Sequence, residues 1–132
     1  MSQQPRPLLE QEAAIDHRHQ LVSSRRVEGT PVYNRSEERL GSIHSVMIDK
    51  KTGQVAYAVL SFGGFLGLGE QVHPVPWEVL DYDVDLDAYV VDLSRDELEK
   101  APTLRLDEAD RPRPKDYEEI RGYYANLPWW GL

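Results

Sequence analysis

Apolar residues in the middle of this chain recur at every second position rather than every third or fourth. Between Gln54 and Phe62, Val55, Tyr57 and Val59 fall on one side and Ala56, Ala58, Leu60 and Phe62 on the other. Such alternation predicts a β-strand. Both sets are apolar, so the strand is expected to be covered on both faces. Its small alanines suit a tightly curved barrel interior or a close helix contact. Upstream, the pattern reads as β from Leu21, with a short run at Thr30–Tyr33, a polar turn at Asn34–Arg39 and a strand over Gly41–Asp49. In that strand Val46 and Ile48 share one face, Ile43 and Met47 the other. Lys50-Lys-Thr-Gly53 predicts a hairpin turn, with Gly53 supplying the positive φ such loops need. Gln71–Val75 gives a fourth run, which Pro74 and Pro76 place at an edge or a bend. Val79–Tyr82 and Tyr89–Leu93 flank an acidic turn and predict a final hairpin with Tyr82 and Tyr89 as cross-strand neighbours. Six short strands in about seventy residues predict a mainly β fold, a small antiparallel barrel or sandwich.

The strand at 54–62 runs into Phe62-Gly-Gly-Phe-Leu-Gly-Leu-Gly-Glu70, with four glycines in seven residues. This predicts a sharp turn that gathers Phe65, Leu66 and Leu68 at one place, either as a purely structural turn or as an apolar contact surface. Leaving such a tip in water costs ~25 cal/mol per Å² of apolar area. After the strands, Ser94-Arg-Asp-Glu97 has the form of a capping box and predicts a short helix to about Lys100, ahead of Pro102. Thr103–Lys115 is charged, carries Pro112 and Pro114, and reads as a linker. Asp116 is expected to cap a last helix with Tyr117, Ile120 and Tyr124 on one face, ended by Asn126 and Pro128. Two large aromatics, Trp129 and Trp130, close the chain. Together with Tyr123 and Tyr124 they are expected to dock on the barrel or on a second subunit. Residues 1–20 are polar, without sustained periodicity, and read as a loosely ordered arm. The expected division is therefore an arm over 1–20, a β domain over 21–94, and a helical, aromatic C-terminal segment over 95–132.

Composition narrows the function classes. The chain has 132 residues, which suits one domain with a modest core. No apolar run approaches ~18 residues, so no membrane span is expected, and the first twenty residues carry no secretory h-region. There is no cysteine, hence no disulfide, thiol chemistry or thiolate metal site. A cytoplasmic setting is the expectation. The net charge is −8, and Glu78–Glu119 holds 15 acidic residues against 6 Lys or Arg. An acidic body repels phosphate, so strong nucleic-acid binding is not expected.

Each motif that suggests chemistry has a plainer reading. A phosphate loop needs Gly-Lys-Ser/Thr, whereas Gly69 is followed by Glu70 and Gln71. A dinucleotide fingerprint needs a third glycine where Val72 stands. Asp83, Asp85 and Asp87 alternate like the start of a calcium loop, but Ala88 and Ser94 occupy the positions that require Gly and Glu. His17 and His19 offer two ligands from a polar arm, short of the three of a catalytic zinc. His44 and His73 lie on separate predicted strands and read as rim or packing residues rather than bases, and Ser45 or Ser61 lacks a nucleophile elbow to pair with them. Trp77 reads as core or barrel-end packing, with a ligand-stacking platform as the alternative. No catalytic residue, cofactor or metal site is expected.

The order of signals resembles a PRC-barrel domain. The resemblance rests on Gly29-Thr-Pro-Val-Tyr-Asn34, Leu40-Gly-Ser-Ile43, Val46-Met-Ile-Asp49, Gly53, Tyr57-Ala-Val-Leu60, and Phe62–Glu70 leading to Val75-Pro-Trp77. It covers about residues 20–95. Ala101-Pro102 and Tyr123-Tyr124 extend it toward small stand-alone bacterial proteins of this type. The resemblance implies a six-stranded barrel used for docking, as in the H subunit of photosynthetic reaction centres and the C-terminal half of the ribosome maturation factors. The sequence has neither the membrane-anchoring helix of the first nor the RNA-associated N-terminal domain of the second, so neither role carries over directly. The expectation is a non-enzymatic binding or assembly module that forms a homodimer and binds an unidentified protein partner, with peripheral docking on a membrane complex as one form of that role. Contact is expected from Phe65, Leu66, Leu68, strand 54–62, Tyr123, Tyr124, Trp129 and Trp130. The alternatives are an accessory role in RNA or ribosome maturation, drawing on Arg25, Arg26, Arg35, Arg39, Lys50 and Lys51, or a reaction-centre-like role in photosynthetic electron transfer.

Overall fold

The computed structural model describes residues 21–62 and 71–127. The arm at 1–20, with His17 and His19, lies outside the described residues, as do Phe65, Leu66 and Leu68 of the glycine turn and Trp129 and Trp130.

The chain does not enter as a strand at Leu21. Ser23 instead caps a single helical turn, α1 (Ser24–Val27), by accepting a hydrogen bond from the Arg25 N–H. Strands β1 (Pro31–Asn34), β2 (Arg39–Ile48) and β3 (Val55–Phe62) follow as an antiparallel meander. The β1–β2 turn is closed by Asn34, whose Oδ1 accepts from the N–H groups of Ser36 and Glu38. The β2–β3 turn is closed by Asp49, whose Oδ1 accepts from Lys51 and Thr52, while Gly53 adopts the expected positive φ of 78°. Next come β4 (Gln71–Pro76), a 3-10 turn at Trp77–Val79, and the hairpin of β5 (Leu80–Asp83) and β6 (Ala88–Val91). Helix α2 (Arg95–Lys100) carries the full Ser94/Glu97 capping box. The short β7 (Leu104–Arg105), a 3-10 turn at Leu106–Glu108 and helix α3 (Pro114–Ala125) complete the described chain.

The strands join in the order β5-β6-β1-β2-β3-β4-β7. This corrects two expectations. Among the described residues there are seven strands rather than six, and the sheet is mixed rather than antiparallel, because β1 runs parallel to β6 with Val32 opposite Tyr89 and Asn34 opposite Val91. The seventh strand has two residues, too few to display a period, and it falls inside the stretch read as linker. The β1–β6 pairing joins distant parts of the sequence, and alternation within a strand says nothing of the direction of its neighbour.

Irregular register bends the sheet. Ile43 pairs with Leu60 and Ser45 with Val59, so His44 is an extra residue on β2, and a second shift lies between Met47 and Ile48. Such bulges raise local twist and re-aim side chains. They break the two-face pattern expected along β2, whose second half is only half-buried and ends at exposed Ile48. Strand β3 is covered on both sides as its composition requires, with Tyr57, Ala58, Val59 and Leu60 all buried. The apolar area of these buried residues is used within the chain, while Val55, Ala56 and Phe62 stay half-buried. Val32, Leu40, Ile43, Leu60, Val75 and Val91 share one core with Leu98, Ile120 and Tyr124 from the C-terminal helices.

Candidate functional site: the rim below the glycine turn and the β5–β6 edge

Two neighbourhoods bring polar and aromatic groups together at the surface. The first lies where β3 ends and the glycine turn begins. Phe62, the last residue of β3, tilts against the His73 ring on β4, with 5.1 Å between centroids. The Arg95 guanidinium sits 4.9 Å from the Phe62 ring centre, a cation–π geometry. Arg95 also donates from Nε to Glu38 Oε2 at 2.8 Å and from Nη2 to the Arg39 carbonyl at 3.0 Å. One side chain thus ties α2, the β1–β2 turn and the end of β3 together. Beneath it, Gly41 meets Ser61 so closely that a Cβ there would stand 2.0 Å from the Ser61 carbonyl oxygen. The hydrogen bonds from Arg95 and Asn34 hold the Glu38 carboxyl below its usual range.

His73 is buried, and its Nδ1 has no hydrogen-bond partner among the described residues. Burial lowers its pKa from 6.5, with Glu99 acting weakly in the opposite sense. The ring is therefore held neutral. His44 lies on β2 and His73 on β4, with β3 between them, so the topology separates the two histidines. Among the described residues no group of three or more His, Cys, Asp or Glu is placed to hold a metal ion.

The second neighbourhood is the β5–β6 hairpin. Tyr82 and Tyr89 are opposite one another in the register, as their spacing predicts, with 5.3 Å between ring centroids. Trp77 meets Tyr89 edge-on at 5.4 Å, which makes it a packing residue of the barrel end. The three rings form a ladder whose outer end, Tyr82, is 37% exposed. Tyr82 donates from its hydroxyl to Asp87, and burial of the ring together with that carboxylate pushes the hydroxyl up to about 12. Asp83 Oδ1 accepts from the N–H groups of Asp85 and Leu86, each at 3.0 Å. The acidic turn thus uses two of its carboxylates to build itself. Asp81 pairs with Arg35 at 3.0 Å beside an open groove of about 350 Å³ that Tyr82, Asp83, Glu37, Leu86 and Val90 also line.

The two tyrosines expected at a partner surface separate. Tyr124 is fully buried in the chain's own core and has no area to offer a partner. Tyr123 is half-exposed and donates from its hydroxyl to the Glu97 carbonyl at 2.6 Å, fastening α3 to α2. Of the six cations named for an RNA-binding face, four are divided between the two ends of β2. Arg35 and Arg39 bracket the start of β2, while Lys50 and Lys51 follow its far end. A strand of that length spans about 30 Å at ~3.3 Å per residue. Sequence reasoning missed the Arg95 clamp and the Arg35–Asp81 pair, because each joins residues more than forty positions apart with no local signal.

The described residues form a mainly β domain built on a bulged mixed sheet, and none of their helices is long or apolar enough to cross a membrane. A family model for the PRC-barrel domain matches residues 19–98, and the chain belongs to that family. No curated protein matches it. A similar solved structure is a Pseudomonas aeruginosa protein assigned to 16S ribosomal RNA processing, RimM. It is 19% identical, with 57% of this chain and 45% of that one covered and a TM-score of 0.39. The chain thus spans less than half the length of that protein.

Proposed function

We propose that this chain is a non-enzymatic protein-docking module of the cytoplasm that self-associates through its glycine-rich connection. The observation that carries this reading is the clamp on Phe62. Arg95 and His73 hold Phe62, the last described residue before the glycine-rich connection, which gives that connection a fixed starting point. Binding residues are commonly carried on loops set by a rigid scaffold. The barrel's remaining apolar area supports the same choice, since the buried residues of β3 and Tyr124 are spent internally. Trp129 and Trp130 supply a second apolar group for the same contact.

Sedimentation of the full chain at micromolar concentration tests this. The expected result is a dimer mass that falls to monomer when Phe65, Leu66 and Leu68 are all replaced by Ser, with an unchanged far-UV circular dichroism spectrum. A wild-type chain that stays monomeric removes the self-association. The separation of Arg35 and Arg39 from Lys50 and Lys51 by the length of β2 favours a protein partner over RNA. A titration with structured RNA at two salt concentrations is expected to show no salt-steep binding; steep binding would support the ribosome-maturation alternative instead.

A further inference from the structure

Strand β5 pairs with β6 along one side and with no described strand along the other. An open strand edge presents backbone N–H and C=O groups that can pair with another extended segment. The side chains flanking this edge are sorted by face. Asp81 and Asp83 alternate with Leu80 and Tyr82 along β5, so the two carboxylates share one face and the Tyr82 ring lies on the other. Asp81 stands opposite Val90 and Tyr82 opposite Tyr89 in the register. Asp81 and Asp83 line the groove with Leu86, Tyr82 also borders it, and the Tyr82 ring ends the aromatic ladder. From Glu78 to Asp92 there are six acidic residues and no Lys or Arg.

We propose that the open side of β5 is a docking edge for an extended segment of another protein in which basic residues alternate with apolar ones. Added antiparallel or parallel to β5, such a segment places every second side chain beside Asp81 and Asp83 and the others beside Tyr82. The chain already shows that Asp81 accepts a guanidinium, from Arg35, with both partners more than half exposed. Arg26 also acts on Tyr82. A second copy of this chain is a poor occupant, because a β5–β5 pairing would set carboxylate against carboxylate, and like charges directly opposite are destabilising. The edge is separate from the glycine-rich connection, so this docking stands or falls independently of self-association.

The test is an amide NMR titration of the full-length chain with a short, end-capped peptide of alternating lysine and valine. The expected result is saturable shifts centred on Leu80–Asp83. Asp81→Lys should weaken binding by about tenfold, the scale of removing one well-placed charge contact. Arg35→Ala should tighten it by freeing Asp81, an effect that loss of folding would not produce. A glutamate–valine peptide should leave the amides unmoved, and an all-lysine peptide should bind more weakly than the alternating one. Shifts spread over the whole acidic surface, equal binding of the all-lysine peptide, or an affinity unchanged by Asp81→Lys would each overturn the proposal. A lost dimer with the β5 shifts intact would sink self-association alone.

Discussion

Among the described glycines, Gly41 has the least room for a side chain. It stands opposite Phe62 in the β2–β3 register, and a Cβ placed there would lie 2.0 Å from the Ser61 backbone oxygen. No rotamer change relieves a clash with main chain, so β2 and β3 would have to separate beneath the Arg95 clamp. Gly41→Ala is expected to cost on the order of 4 kcal/mol, at the top of the range for single substitutions, read as a lowered denaturant midpoint. His73 makes a different demand. Its pKa is lowered from 6.5 by burial, so the unfolded chain takes up a proton before the folded one does. Stability is therefore full above that value and falls as pH drops below it, toward the folded pKa. Carboxylates held low by partners, such as Asp116 and Glu38, lose their contribution only in a more acidic window, near and below the ordinary carboxylate range. Denaturation curves between pH 7 and 5 should show a decline in the wild type that His73→Gln flattens, and an equal slope in both would exclude His73 as its source. Gly41 could be marked in the sequence as part of Leu40-Gly-Ser-Ile43, but its reason, the approach of a strand twenty residues away, could not.

At the scale of elements, local signals were legible wherever a short stretch closes its own hydrogen bonds. The Ser94–Glu97 box, the Gly53 turn and the Tyr82/Tyr89 hairpin all formed as their spacing requires. Helix α3 shows how such a signal slips. Asp116 was the expected cap, yet the helix starts at Pro114, and Arg113 holds the cap position. Proline suits the first helical position because its missing N–H is not needed there. Asp116 instead sits at the third helical position and reaches back, its Oδ2 accepting from the Arg113 N–H at 2.8 Å and its Oδ1 from the guanidinium at 2.9 Å. It is the returning half of a capping box, so Asp116→Ala should destabilise the chain by ~1 kcal/mol, with Asp116→Asn milder. A thermal melt distinguishes the two. Along β2 the reading failed for another reason. The bulge at His44 resets the alternation of faces, and a bulge is a choice of pairing that one strand's own residues do not declare.

The whole molecule is larger than its barrel. The family match ends at residue 98, but the core does not. Ile120 and Tyr124, both from α3, are 1% and 0% exposed within the same cluster as Leu60 and Val75. Tyr117 stacks on Tyr57 of β3 with 5.8 Å between centroids, and Arg121 reaches both the Tyr117 hydroxyl and Glu78. Tyr124 was legible as one of a helical face, but whether that face met the barrel or a partner depended on the path of the chain through β7, which the sequence hid in a charged stretch. A core that draws on both segments predicts that neither is stable alone. Emptying one large buried aromatic position costs about 3–5 kcal/mol, while a domain's whole stability is about 5–15 kcal/mol. Deleting residues 115–132 removes Ile120 and Tyr124 together and uncovers Tyr57. The shortened chain is expected to lose its cooperative melt and to bind an apolar dye. A chain ending at Leu127 keeps every described core residue, so it should keep a cooperative melt, and any loss of dimer mass in that chain would come from residues 128–132. If the deletion at 115 left the melt unchanged and the dye unbound, α3 would be an ornament on the barrel rather than a wall of it.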